Sequence, residues 1–396
     1  MLKIATITHL FPNPAQPILG IFVKHRIKAM SNYLYVEVIA PVGWLPAGLS
    51  GRPRSVPRVR MDEGILIHHP RFFSPPILKP LESFFFLQGT ISTFIRRHLN
   101  LRFNVLDTHF AYPDAPAVWI LASIVHRPFV VTVRGEDVYG HPHFPLRKFQ
   151  IVNALKFASK VICLSDVTYK CCIDLNIQPS KIIKIPNGVD GKIFKLIDRQ
   201  IARQCLGINK DVILLLSVGW LIPRKGYHYV IQALPYLQKI HPNIQYVIIG
   251  GDTTTGEYKK FLITLSEKLK VKHLVSFIDI LPQDKLSLWM NAADVFCLPS
   301  EKEGWGNVAL EALSCGTPVV AHNVGGINQM IINGVNGFIL EDKSPITWFK
   351  VLNECFNRKW NRNEIRSSVS HWQWDNVGKQ VAELMEQVWN EFKSKC

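Results

Sequence analysis

The chain has 396 residues, too many for one ordinary core and enough for two domains of roughly 150–200 residues each. With 47% hydrophobic and 19% charged residues it is not extensively disordered, and eight cysteines without a C-x-x-C or Cys/His cluster exclude a zinc-finger or disulfide framework. The net charge of +16 is unevenly spread, since residues 1–190 hold 22 of the 46 Lys and Arg but only 11 of the 30 Asp and Glu.

The chain opens on MLKIATITHLFPNP, a strand-like run that ends at prolines and has no h-region or cleavage site. Apolar runs such as 115–125 fall short of the roughly 18–20 residues that span a bilayer, so a cytoplasmic protein is expected. Strands are predicted at 3–8, 35–40, 105–109, 129–134, 160–165 and 182–185. A second series follows at 212–218, 245–250, 274–278, 294–298, 318–321 and 337–340. Helical patterns separate them, and several runs are apolar throughout, as in parallel sheets buried on both faces. Two doubly wound α/β domains are therefore predicted. The first spans 1–190 and the second 191–370, joined at the turn-forming Pro186-Asn187-Gly188, and a helix within 371–396 could pack back on the first domain. Residues 44–60 are rich in Pro, Gly and Arg and read as an exposed basic loop.

The chemistry concentrates at 299–320, PSEKEGWGNVALEALSCGTPVV. A strand runs into a glycine-bracketed turn and a helix begins near Asn307, leaving backbone N–H groups suited to a diphosphate. Glu303 lies in the turn and Glu311 on the helix; in one continuous helix they would diverge by roughly 80°. With Glu303 in the loop, both can line one crevice, where carboxylates accept hydrogen bonds from sugar hydroxyls. A capped helix with solvent-facing acids is the plainer alternative.

The segment resembles family 4 of the retaining glycosyltransferases, whose signature is a Glu, seven residues and a second Glu, inside PS-x-x-EG-x-G-x-x-x-x-EA-x-x-x-G-x-PVV. The resemblance extends to FPNPAQPILGIFV (11–23, with Gly20), IPNGVDGKIF (185–194), SVGWLIPRKG (217–226) and NGFIL (336–340), and looks closest to cell-envelope and exopolysaccharide transferases, including those like teichuronic acid enzymes. It implies the GT-B fold: two Rossmann-like domains with a cleft between them. It also implies a nucleotide diphosphate sugar as substrate; no cofactor is expected, and with no P-x-D-x-D-like segment no metal either. Glu303 would contact the transferred hexose, the amides of Gly304, Trp305, Gly306 and Asn307 would hold its hydroxyls or the phosphates, and Glu311 would accept from the ribose. Lys225, with Arg224 beside it, would neutralise the leaving diphosphate; Gly20 belongs to the first strand–helix loop of the donor site.

Three positions depart from the family pattern. Trp220 stands where many members have an arginine. Arg134-Gly135-Glu136-Asp137 replaces His-Gly-x-Asp, which puts Arg134 and Asp137 among the catalytic candidates. Gly325-Gly326-Ile327-Asn328-Gln329 replaces Gly-Gly-x-Pro-Glu. Arg134 could grip a phosphate or sugar oxygen bidentately. His109 ends a strand at the carboxyl edge and is an acceptor-side candidate, with His9, Asp107 and Asp114 ranked below it.

The expected reaction moves a hexose to a saccharide or lipid-linked saccharide in polysaccharide or glycoconjugate biosynthesis. A basic first domain, with Arg96-Arg97, the stretch 52–60 and an apolar helix at 81–99, suggests an anionic membrane at the inner face of the plasma membrane. Core packing of that helix is the competing reading. No nucleic-acid motif accompanies the charge. The rival functions are a nucleotide-sugar binder without turnover, and an epimerase or phosphorylase on the same fold.

Overall fold

The computed structural model describes residues 1–45, 55–252 and 255–395. The chain divides into two compact units, Met1–Gly188 with Trp374–Cys396, and Val189–Gln373. The joins, expected at 190 and 370, thus fall at 188 and 373.

The first unit is built on an eight-stranded sheet. Its order is Ile182–Lys184, Lys160–Cys163, Phe129–Thr132, Val105–His109, Lys3–Ile7, Tyr35–Ile39, Ile65–His68 and Val59–Asp62, and only the last strand runs antiparallel to its neighbour. Alternate residues feed two cores, which explains the unbroken apolar runs. Ala5, Leu106, Val131 and Val161 point to one side, while Ile4, Val105, Val130 and Ile162 point to the other. Helices Glu82–Leu101, Asp114–Val125 and Pro145–Phe157 cover the first side. Ile21–Ser31 and the last helix, Trp374–Lys393, cover the second. A Cβ added at Gly378 would lie 2.5 Å from the Ala29 carbonyl carbon, so the bare glycine sets how closely these two helices approach.

All twelve predicted strands are present, with ends moved by two residues or fewer. Four further strands are not foreseen by the sequence pattern: Val42–Trp44, Val59–Asp62, Ile65–His68 and Arg71–Phe73. Each has three or four residues, and they flank the Pro- and Arg-rich stretch. Residues 46–54 of the expected basic loop lie outside the described residues. Of the rest, Arg60 is structural, donating to the Pro12 carbonyl at 2.7 Å and to Asp62 at 2.8 Å. The apolar helix at 81–99 also needs correcting. Phe86 and Phe94 are fully buried, and Phe85, Ile91 and Ile95 pack on the same core, so of the apolar residues Phe84, Phe85, Phe86, Ile91, Phe94 and Ile95 only Phe84 is exposed. Arg97 is held by Glu37 through two hydrogen bonds of 2.9 and 2.6 Å.

The second unit carries a six-stranded parallel sheet, ordered Val275–Ile278, Ile244–Ile249, Ile213–Val218, Val295–Leu298, Val319–His322 and Gly337–Leu340. Numbered within the unit this is 3-2-1-4-5-6, the doubly wound order. Among the described residues, no helix is long and apolar enough to cross a membrane.

Candidate active site

In a doubly wound sheet the connections turn opposite ways at one point, leaving a crevice outside the carboxyl ends of the two strands that meet there. In the second unit these are Ile213–Val218 and Val295–Leu298. The loops after them carry Lys225 and Glu303.

Backbone contact fixes the two loops together. Gly226, at φ +69°, presses against the Pro299 carbonyl so closely that a Cβ would sit 2.0 Å from its oxygen. The Glu301 amide donates to the Arg224 carbonyl at 2.8 Å. Lys225 Nζ consequently lies 2.6 Å from Glu303 Oε1, and Ser300 Oγ donates to the same oxygen at 2.7 Å. Burial alone would raise the Glu303 carboxyl, but Lys225 and Ser300 outweigh it and hold the group below the usual carboxylate range. Glu303 is thus kept ionised as a hydrogen-bond acceptor. Both side chains remain partly accessible, Lys225 at 12% and Glu303 at 11%.

The floor beneath this loop comes from the next connection. A Cβ at Gly325 would meet the Glu303 carbonyl oxygen at 2.6 Å, and one at Gly326 the Trp305 ring at 2.1 Å. Trp305 is 3% exposed, stands edge-on to Trp372, and buries its indole Nε1 without a protein partner. Only the backbone of Trp305 is therefore available to a ligand. Gly306, at φ +100°, caps helix Asn307–Ser314. Glu311 is half-buried on that helix, and with no cation beside it burial pushes its carboxyl up to about 8. Arg224 is exposed, its Nη1 3.3 Å from the Lys302 carbonyl. Trp220 is half exposed and lies against Gly251 beside Ile280, leaving the position without the family's positive charge. Gln329 is half-buried on the short helix Ile327–Met330.

The corresponding switch point of the first unit lies between Lys3–Ile7 and Val105–His109. Here Asp114, fully buried, accepts from the His9 amide at 3.1 Å and pairs with His9 Nδ1 at 2.7 Å. Burial opposes the charged ring, but Asp114 outweighs it and raises the His9 pKa. His9 lines a cavity of about 290 Å³ with Phe11, Asn13, Gln16, Lys79 and Glu82. Gly20, at φ +65°, closes the loop back on Leu10, whose carbonyl oxygen would meet a Cβ at 2.5 Å.

His109, the acceptor-side candidate, is fully buried. Its Nδ1 lies 2.6 Å from Arg134 Nη2 and 3.3 Å from Arg26 Nη1, while Nε2 faces Asp107 Oδ2 at 3.4 Å. Burial first, then the two guanidiniums, overcome Asp107 and drive His109 down to about 3. A neutral ring accepting at Nδ1 carries its proton on Nε2. Arg134 Nη1 donates to Asn187 Oδ1 at 2.6 Å, so both terminal nitrogens are engaged by protein. A bidentate grip on substrate would require Arg134 to release them. Asp137 is committed to the backbone, accepting from the amides of Ala111 at 2.7 Å, Arg134 at 2.9 Å and Gly135 at 2.7 Å. That is a positioning role, shaping the turn that presents Arg134.

Ser300 receives no role from the sequence pattern, although its spacing of three from Glu303 is visible there. Arg26, 83 residues from His109, carries no sequence signal, and Asn187, 53 residues from Arg134, is marked only as part of the turn Pro186-Asn187-Gly188 and not as a partner of Arg134. Among the described residues no cluster of three His, Cys, Asp or Glu is placed to hold a metal.

Residues 198–370 match the family described as Glycosyl transferases group 1, and residues 37–192 match Glycosyltransferase Family 4. The D-inositol 3-phosphate glycosyltransferase of Corynebacterium urealyticum is 33% identical over 315 residues, 75% of this chain and 74% of that protein. With other relatives of that name the match spans only about half of their length, 50% in one and 46% in another. Among solved structures, sucrose-phosphate synthase from Thermosynechococcus elongatus superimposes with a TM-score of 0.82 at 19% identity, covering 99% of this chain and 100% of that one. HepE of Anabaena, solved in complex with UDP-glucose, gives a TM-score of 0.73 at 20% identity, with 98% and 100% covered. The teichuronic-acid branch is not singled out by these matches. With both units accounted for, the chain belongs to the group 1 and family 4 glycosyltransferases, transferase enzymes of the two-domain GT-B fold.

Proposed function

We propose that the chain is a retaining transferase that moves a hexose-type sugar from a nucleotide diphosphate sugar to a saccharide or lipid-linked saccharide, in polysaccharide or glycoconjugate biosynthesis. The Lys225–Glu303 pair in the switch-point crevice carries this reading: an ammonium for phosphate lies 2.6 Å from a carboxylate for sugar hydroxyls. Glu303 orients the transferred sugar, and Lys225 neutralises charge as it builds on the leaving phosphate. The bond from the anomeric carbon to the diphosphate breaks, and the acceptor oxygen bonds on the same face. The acceptor's proton passes to the departing phosphate oxygen, so no separate base and no metal are required.

HepE was solved with UDP-glucose, which makes uridine sugars the first donors to try, and the named relatives add inositol 3-phosphate to the acceptors. The test is turnover of a donor panel with and without EDTA, followed by NMR of the new glycosidic linkage. An α-linked product from an α-linked donor is expected, unaffected by EDTA. An inverted linkage would overturn the retaining assignment.

A further inference from the structure

Helices Glu82–Leu101, Asp114–Val125 and Pro145–Phe157 leave their outer sides bare in the first unit. On the last of these, Leu146, Phe149, Asn153 and Phe157 recur at intervals of three and four, which places them on one stripe. Phe149 is 68% exposed and Phe157 61%. The turn Pro76–Leu81 adds Ile77 at 91%, and Phe84 follows at 61%. The two regions adjoin, since Gln150 Nε2 donates to the Pro80 carbonyl at 3.0 Å. Contiguous exposed aromatic and aliphatic side chains of this size mark an interaction surface.

Its charge selects the partner. The three helices contain two carboxylates, and neither is free: Glu82 is paired with Lys79 at 2.7 Å, and Asp114 is buried against His9. On the segment joining the second and third helices, the carboxylates are Glu136 and the buried Asp137. Against these stand Arg96, Arg97, Arg147, Lys148 and Lys156. Arg97 is taken by Glu37, whereas Arg147 lies over the Phe144 ring at 4.6 Å, placing a guanidinium beside the apolar stripe. Aromatic rings interleaved with cations suit the boundary between anionic headgroups and acyl chains.

We propose that this face docks on an anionic lipid bilayer, with Ile77, Phe84, Leu146 and Phe149 at the headgroup–acyl boundary and Arg147 and Lys148 at the phosphates. The surface replaces the buried face of helix Glu82–Leu101 as the membrane contact, and it does not depend on the donor chemistry assigned above. The full chain should co-sediment with vesicles of phosphatidylglycerol and phosphatidylethanolamine in low salt, more weakly as salt rises, and not with phosphatidylcholine alone. The double variant Ile77→Glu/Phe149→Glu should lose about tenfold or more of that affinity, since two large apolar contacts are removed. Its unfolding temperature and nucleotide binding should match the parent, separating docking from folding and from the donor site. Equal binding by parent and variant, or no binding by the parent, would overturn the proposal. So would self-association of the parent that the same variant abolishes, because a second copy of the chain would then own the face.

Discussion

In the second unit the charges at the switch point form a compact pair, Lys225 and Glu303, that reaches the crevice and has one oppositely charged partner on each side. In the first unit the charges near the equivalent point are sealed in: Arg26, Arg134, His109 and Asp107 are each less than 10% exposed and bond to one another. Arg26 lies 3.9 Å from Asp107, while Arg134 is attracted by both Asp107 and Asp137. Burial, followed by repulsion from Arg26, lowers the Arg134 pKa, whereas Lys225 and Ser300 both support the ionised state of Glu303. One topology thus yields a charged pair open to the crevice and a sealed cluster in which Arg26 Nη2, Asp107 Oδ1, His109 Nε2 and Arg134 Nε are buried without a hydrogen-bond partner among the described residues. The difference shows that the switch point supplies a location, while the chemistry depends on which side chains the loops leave accessible.

The comparison is most exposed to failure at Lys225. Lys225→Ala should lower turnover by roughly 10²–10³, the scale of losing one oxyanion donor, with the fold intact by circular dichroism. Full activity in that variant would remove the second unit's claim to be the prepared site. Next comes Gly226→Ala. A left-handed backbone with a Cβ 2.0 Å from the Pro299 oxygen should cost about 2–4 kcal/mol in denaturant unfolding and displace Lys225 from Glu303. An unchanged midpoint would mean that the loops are not fixed by this contact.

Arg134→Met sharpens the other side. The substitution relieves repulsion from Arg26 but takes away the donors to the buried His109 Nδ1 and Asn187 Oδ1, so it should cost about 1–3 kcal/mol of stability and leave nucleotide affinity alone. A large drop in nucleotide affinity, measured by calorimetry, would make Arg134 part of the donor site.

The smallest effect concerns Glu311. Its folded pKa is raised from 4.5 to about 8, so the folded state keeps a proton that the unfolded chain gives up above 4.5. Stability associated with this group is present below the unfolded value and falls as pH rises through that window. Glu311→Gln should therefore unfold at a higher temperature than the parent at pH 8, by ~2–4 °C for about 1 kcal/mol in a domain of this size, and much less so at pH 4.5. Equal differences at the two pH values would contradict the burial argument.

Much of the molecule is legible in the amino-acid sequence alone. Its continuous apolar runs determine the parallel strands and their burial on both faces, because that pattern depends on the chain alone. The Glu-x7-Glu segment, with its glycines, marks the helix-opening turn. The four short strands between 42 and 73 are illegible, since three or four residues carry too little periodicity to stand out beside Pro and Arg. The apolar helix at 82–101 reads as having an outward face that the fold largely buries, because which stripe of a helix is covered depends on its neighbours.

What only the tertiary structure decided is who meets whom. Lys225 and Glu303 are 78 residues apart, Arg134 and His109 are 25, and Asp114 and His9 are 105. The sequence contains these charges but says nothing of their distances. Their ionisation follows from burial and from the sign of the nearest neighbour, both set by packing between distant segments. Local chemistry determined the strands, the turns and the motif; long-range contact decided which charges remain available to a substrate.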